Sequence, residues 1–150
     1  MDYSSERAAD ALAFINESRI KLVAASETPP LRHAAFAALM GCLVAAPALP
    51  IVMRGVVFAL LMLGVVLIIQ WDRRRMGMFI NGYRPGATRW VTFAMLAIIL
   101  PLYGVGDWLA LTRGASWAPV ALGVTAAVIA YAGSVWWCRV FRRELLGGVA

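Results

Sequence analysis

Charge is missing from most of this chain: Ala34–Met53, Gly55–Trp71, Trp90–Gly106 and Gly114–Cys138 carry none apiece. Histidine is reduced to His33, cysteine to Cys42 and Cys138, and lysine to Lys21. One histidine beside two separated cysteines does not make up the usual set of four zinc ligands, so no metal site is read. Cys42 falls inside an apolar run and Cys138 at the end of another, at different depths, so no disulfide is expected. Packing is the role expected of Cys42, and acylation at the membrane surface is an alternative for Cys138. Convincing strand patterns are missing, and with them any strand-then-glycine phosphate loop. No nucleophile stands at readable spacing from a base, and no two carboxylates face each other within the apolar runs. The sequence therefore points to a non-enzyme without a cofactor.

What is present is apolar length. The 150 residues are 62% hydrophobic and 15% charged, with a mean hydropathy of +0.76; soluble domains are about half apolar and a quarter charged. About 20 apolar residues in a helix, at ~1.5 Å each, cross a hydrocarbon core of ~30 Å. Four such runs predict spans at about 33–50, 55–71, 90–111 and 116–138. Trp71, Trp90, Trp108, Trp117, Trp136 and Trp137 fall at their edges, where amphipathic rings sit among headgroups. The fold class expected is an all-α integral membrane four-helix bundle of two helical hairpins. An N-terminal amphipathic helix, cytoplasmic or interfacial, precedes it. Residues 1–30 form that helix and its Pro29-Pro30 linker; residues 31–150 form the membrane domain.

The net charge of +6 is explained by placement rather than by nucleic acid. Arg7, Arg19, Lys21 and Arg32 precede the first span. Arg73, Arg74, Arg75, Arg84 and Arg89 lie between the second and third, and Arg139, Arg142 and Arg143 follow the fourth. Only Arg54 and Arg113 occupy the other two connections. Basic residues mark the cytoplasmic side, so both termini and the central loop are expected inside a bacterial cytoplasmic (inner) membrane. The acidic, polar start Met1–Glu6 does not read as a cleavable leader.

Within residues 4–26, Ala8, Ala11, Leu12, Ile15, Leu22 and Val23 share one helical face opposite Glu6, Asp10, Glu17 and Lys21. This helix lies on the inner leaflet or bundle, or docks a partner. Pro47, Pro50, Arg54 and Gly55 predict a tight turn around 50–55, with Arg54 at the outer interface. Asn81-Gly82 and Pro85-Gly86 are turn pairs in the inner connection, and Met76–Ile80 is apolar enough to dip into the interface. Pro101 predicts a kink in the third span. Arg32, Phe36, Ala37 and Leu39 recur in spacing as Arg89, Phe93, Ala94 and Leu96, a faint parallel repeat of the two hairpins.

Candidate interaction residues follow from these placements. Asp107 falls near the outer edge, where Arg113 or Arg54 can pair with it; a transport acid is the sharper reading. Arg73, Arg74, Arg75, Arg139, Arg142 and Arg143 end the second and fourth spans on one side, as anionic-lipid contacts or topology signals. Their bias to arginine suits phosphate forks or reflects a GC-rich genome. Gly123, Ala126, Ala127, Ala130, Gly133 and Ser134 form a small-residue ridge for close helix packing, within the bundle or in a homodimer. His33, beside Arg32, is expected as a headgroup neighbour.

The functional expectation is a small accessory or scaffolding membrane protein. Its partners would be membrane lipids and a homo-oligomer or larger membrane complex, with no nucleic acid. Alternatives are an oligomeric transporter or channel using Tyr103, Asp107 and Tyr131, and, last, a lipid-headgroup enzyme.

Overall fold

The computed structural model describes residues 29–76 and 86–146, together with positions 7, 10–14, 17 and 18 of the N-terminal segment. Those N-terminal positions are helical, and Leu12 and Phe14 among them are exposed. The rest of the expected amphipathic helix, including Ala8, Ile15, Arg19, Lys21, Leu22 and Val23, lies outside the described residues. So does the inner connection over 77–85, with Arg84, Asn81-Gly82 and Pro85.

The described chain is helical with no strand. Its order is α1 (Pro30–Ala45), a 3-10 turn (Ala46–Ala48), α2 (Ile51–Met76), α3 (Ala87–Arg113) and α4 (Trp117–Leu146). All four helices are long and apolar enough to cross a membrane, the first taken together with its 3-10 turn.

Local chemistry sets the boundaries. Pro29 is extended at ψ 146° and Pro30 takes the first turn of α1, where a missing N–H costs nothing and the fixed φ suits a helix. The first turn between helices comes earlier than the expected 50–55. Pro47 tightens the chain into the 3-10 turn, and Leu49 is extended at ψ 156°, as the residue before a proline prefers. Helix resumes at Ile51, which puts Arg54 and Gly55 inside the first turns of α2. At the next turn Gly114 adopts φ 62°, ψ 16°, a left-handed conformation that glycine accepts without a Cβ penalty. Ala115 N–H donates back to Leu109 O at 3.3 Å there. α3 is one helix through Pro101.

Packing is uneven. α4 is the centre: it lies along α1 and along α3, and α1 also touches α2 and α3. No Cα of α2 comes within 8 Å of α3 or α4. The α1–α4 contact is backbone-close because Gly41 and Gly123 face each other. A Cβ placed on Gly123 would stand 2.7 Å from Gly41 O, and one on Gly41 would stand 2.9 Å from Gly123 O. Val44, Ile99 and Ala126 form the buried core beside this approach, with Met95, Leu102, Tyr103 and Leu122 around it. α2, the most apolar helix with a mean hydropathy of 2.7, has only 6% of its span buried.

Candidate functional site

The polar groups of the described bundle collect at the two helix ends. At the end carrying Arg54, that side chain closes the turn beneath it: Nε donates to Leu49 O at 2.9 Å and Nη2 to Pro47 O at 2.8 Å. Its Nη1 donates to Asp107 Oδ1 on α3, also at 2.8 Å. Arg113 instead lies over the Trp108 ring, with 5.9 Å between guanidinium and ring centre.

Arg54 thus satisfies two turn carbonyls and a carboxylate, while Asp107 accepts from Arg54. Side chains 22% and 30% exposed place this pair near the solvent-screened limit of ~1 kcal/mol or less. We expect Asp107→Asn to cost no more than that, and Arg54→Ala to cost roughly 1–3 kcal/mol because it strands carbonyls as well. Detergent-titrated unfolding followed by circular dichroism compares them; equal losses would refute the capping role.

The opposite end is rich in arginine and better enclosed. Arg32 on α1 grips Asp72 on α2: Nη2 donates to Oδ2 at 2.8 Å and Nε to the two oxygens at 3.1 and 3.2 Å. Asp72 is buried, at 9% exposure, and nothing in its sequence neighbourhood separates it from a simple interfacial acid. Its role was illegible because its partner is 40 residues away. His33 is not the headgroup neighbour the sequence suggests. It is buried, and its Nδ1 shares a 2.7 Å hydrogen bond with Ser134 Oγ on α4. Tyr131 meets the imidazole edge-on, 5.9 Å between ring centres. One helical step inward from Arg32 turns the side chain from α2 toward α4, and only the α1–α4 contact makes that position interior.

Glu144 of α4 accepts from the backbone N–H groups of Ala87 and Thr88 and from Thr88 Oγ1 at the start of α3. A carboxylate at a helix N-terminus complements its exposed N–H groups and dipole. Thr88 is fully buried beneath it. Each helix at this end is therefore tied to a neighbour through a polar contact.

Between these ties runs a cleft of about 430 Å³. Phe36 and Leu39 of α1, Val65, Ile68 and Ile69 of α2, and Val91 and Met95 of α3 supply its apolar wall. Arg32, Asp72, Thr92, Ser134 and Trp137 form its polar end, and Gly133 its floor on α4. α2 stays away from α3 and α4, which leaves the cleft between it and the rest of the bundle. Tyr103, Asp107 and Tyr131 do not line it.

The other sequence candidates are placed as follows. Gly123, Ala126, Ala130, Gly133 and Ser134 are buried and Ala127 partly so, so the ridge is occupied by α1 and α3 of the same chain. Arg73, Arg74, Arg139 and Arg143 are exposed, and Arg142 is half-buried. Arg75 lies in α2, its side chain outside the described residues. Cys42 is exposed on α1 rather than packed in the core, and it forms no disulfide with Cys138.

A histidine–serine contact invites a nucleophile–base reading. The flanking N–H groups of Ser134 are committed to the helical ladder of α4, which gives an oxyanion no backbone donor there. No group of three or more His, Cys, Asp or Glu able to hold a metal occurs among the described residues. No family model, curated protein or solved structure matches the chain.

Proposed function

We propose that this chain is a multi-pass protein of a bacterial cytoplasmic membrane, with both termini and the 77–85 connection inside. It acts there as a non-catalytic accessory or scaffolding subunit that assembles by helix packing. The observation that carries this reading is the exposure of apolar helix beyond what the chain covers for itself. Of the other long helices α2 packs along α1 only, and Val56, Phe58, Leu60, Leu63, Val66 and Leu67 are exposed along it.

The sequence-level ridge on α4 is already consumed by α1 and α3, which moves the partner surface to α2 and α3. Gly55 on α2 and Gly104 on α3 support this, since a Cβ on either meets nothing within 4 Å. Small exposed positions let a second backbone come close, which is how helices associate where lipid replaces water. The exposed Trp90 and Trp136 at one end and Trp108 and Trp117 at the other suit two headgroup belts about one bilayer apart. The arginine bias between the ends supports the orientation.

The test is isolation in mild detergent followed by measurement of assembly mass, wild type against Gly104→Leu. We expect wild type to run as an oligomer or hetero-complex, and Gly104→Leu to lose that partner while keeping its helical content. A lone monomer in the wild type would overturn the accessory reading.

A further inference from the structure

The cleft has a depth, a size and a charge that together select an occupant. Its walls run from Arg32 to Leu39 on α1 and from Asp72 to Val65 on α2. Seven residues of helix cover ~10 Å, within a single leaflet of a ~30 Å hydrocarbon core. The cleft has a volume of about 430 Å³. The volume is within the range of ~300–1,000 Å³ typical of small-molecule sites, which combine apolar walls with a few placed polar groups.

Charge decides the headgroup. Among the described residues, the helix ends on the side of Arg32 carry Arg32, Arg73, Arg74, Arg89, Arg139, Arg142 and Arg143 against Asp72 and Glu144. Both carboxylates are engaged, Asp72 by Arg32 and Glu144 by the start of α3. Asp72 takes only the Nε and Nη2 edge of Arg32. Nη1 of that planar fork takes no part in the hydrogen bonds to Asp72, and Arg32 itself lines the cleft. An arginine fork matches phosphate geometry.

We propose that this cleft is a binding site for one anionic phospholipid from the leaflet at the arginine-rich end. One acyl chain lies along Phe36, Leu39, Val65 and Met95, and the phosphate sits against Arg32. Trp137, half-buried and stacked on Phe141 at 5.3 Å, borders the glycerol level. The inference is independent of whether the protein is an accessory subunit.

Electron spin resonance with lipids nitroxide-labelled on the acyl chain tests it, using the full chain in phosphatidylcholine bilayers. Labelled phosphatidylglycerol should show an immobilised component with about fivefold preference over labelled phosphatidylcholine, the factor that one basic group at a membrane surface supplies. Val65→Trp and Ile69→Trp each fill the cleft, so two independent variants guard against one failing to fold. Either should remove the immobilised component while helical content and elution stay unchanged. Arg32→Gln with Asp72→Asn keeps net charge and should leave the component but bring the preference close to one. Equal immobilisation of the two lipids in the wild type overturns the headgroup assignment. An immobilised component that survives the tryptophans overturns the site. No component for either lipid, as expected if the chain's own residues fill the cleft, also overturns it.

Discussion

Gly123→Leu should prevent the bundle from forming, and Gly41→Leu should do the same. At these two positions α1 and α4 approach so closely that the first side-chain carbon already meets backbone. A Cβ on Gly123 stands 2.7 Å from Gly41 O and 2.8 Å from Ala45 Cβ; one on Gly41 meets Ala127 Cβ and Gly123 O, each at 2.9 Å. A flexible neighbour could turn aside, but a carbonyl in a helical ladder cannot. The helices must separate, and Val44, Ile99 and Ala126 lose their contacts together. Overpacking a core ordinarily costs ~1–3 kcal/mol, and backbone contact puts these variants above that range. The measurement is the fraction of detergent-extracted protein that elutes as one species with wild-type helicity. Gly55→Leu is the control for folding, since a Cβ there has nothing within 4 Å, and it should elute as one species with wild-type helicity, whether at the mass of the assembly or of the chain alone. Wild-type behaviour of both Gly41→Leu and Gly123→Leu would contradict the close α1–α4 approach.

Removing the carboxylate of Asp72 should have the second largest effect. α2 is held to the rest of the chain by α1, the 3-10 turn and the two arginine contacts at its ends. The Arg32–Asp72 side chains are 22% and 12% exposed; the two arginines are equally exposed, and Asp72 is the drier carboxylate, against 30% for Asp107. Leaving one member of a buried pair without the other costs about 3–5 kcal/mol, while replacing both together is far milder. Asp72→Ala is therefore expected to lose about 3 kcal/mol, since the site is not wholly dry. Arg32→Gln with Asp72→Asn should recover most of that loss. Midpoints of unfolding in a denaturing-detergent titration give the comparison. If the double variant is as unstable as the single, the loss belongs to packing at Asp72 and not to an unpaired arginine.

Helix number and kind were legible because each apolar run is long and uncharged, and the boundaries are written in proline and glycine. Pro29-Pro30 and Gly114 mark helix ends at the positions where a missing N–H or a left-handed φ is needed. The turn near residue 50 was misplaced because Arg54 reads as a breaker of apolar sequence. In fact its long side chain folds back onto Pro47 and Leu49 carbonyls while its backbone is already helical. Cys42 reads as core for a similar reason. An apolar run that is hydrophobic all round does not say which of its faces meets another helix.

The arginine-rich end shows the same divide. Arginine and tryptophan positions are sequence facts, and they suffice to mark helix ends. That His33 meets Ser134, that Arg32 meets Asp72, and that Glu144 caps α3 could not be read, because these partners are 101, 40 and 56 residues apart. Such pairs have no periodicity to reveal them.

By itself the sequence determined that the chain is helical and carries four apolar segments of bilayer length, because hydrogen bonding and apolar length are properties of each segment alone. The tertiary structure alone decided that α4 is the hub, that α2 stands aside, and that a cleft lies between α2 and the other helices. Those outcomes depend on which small residues of different helices face one another, and no local property of an apolar run records that choice.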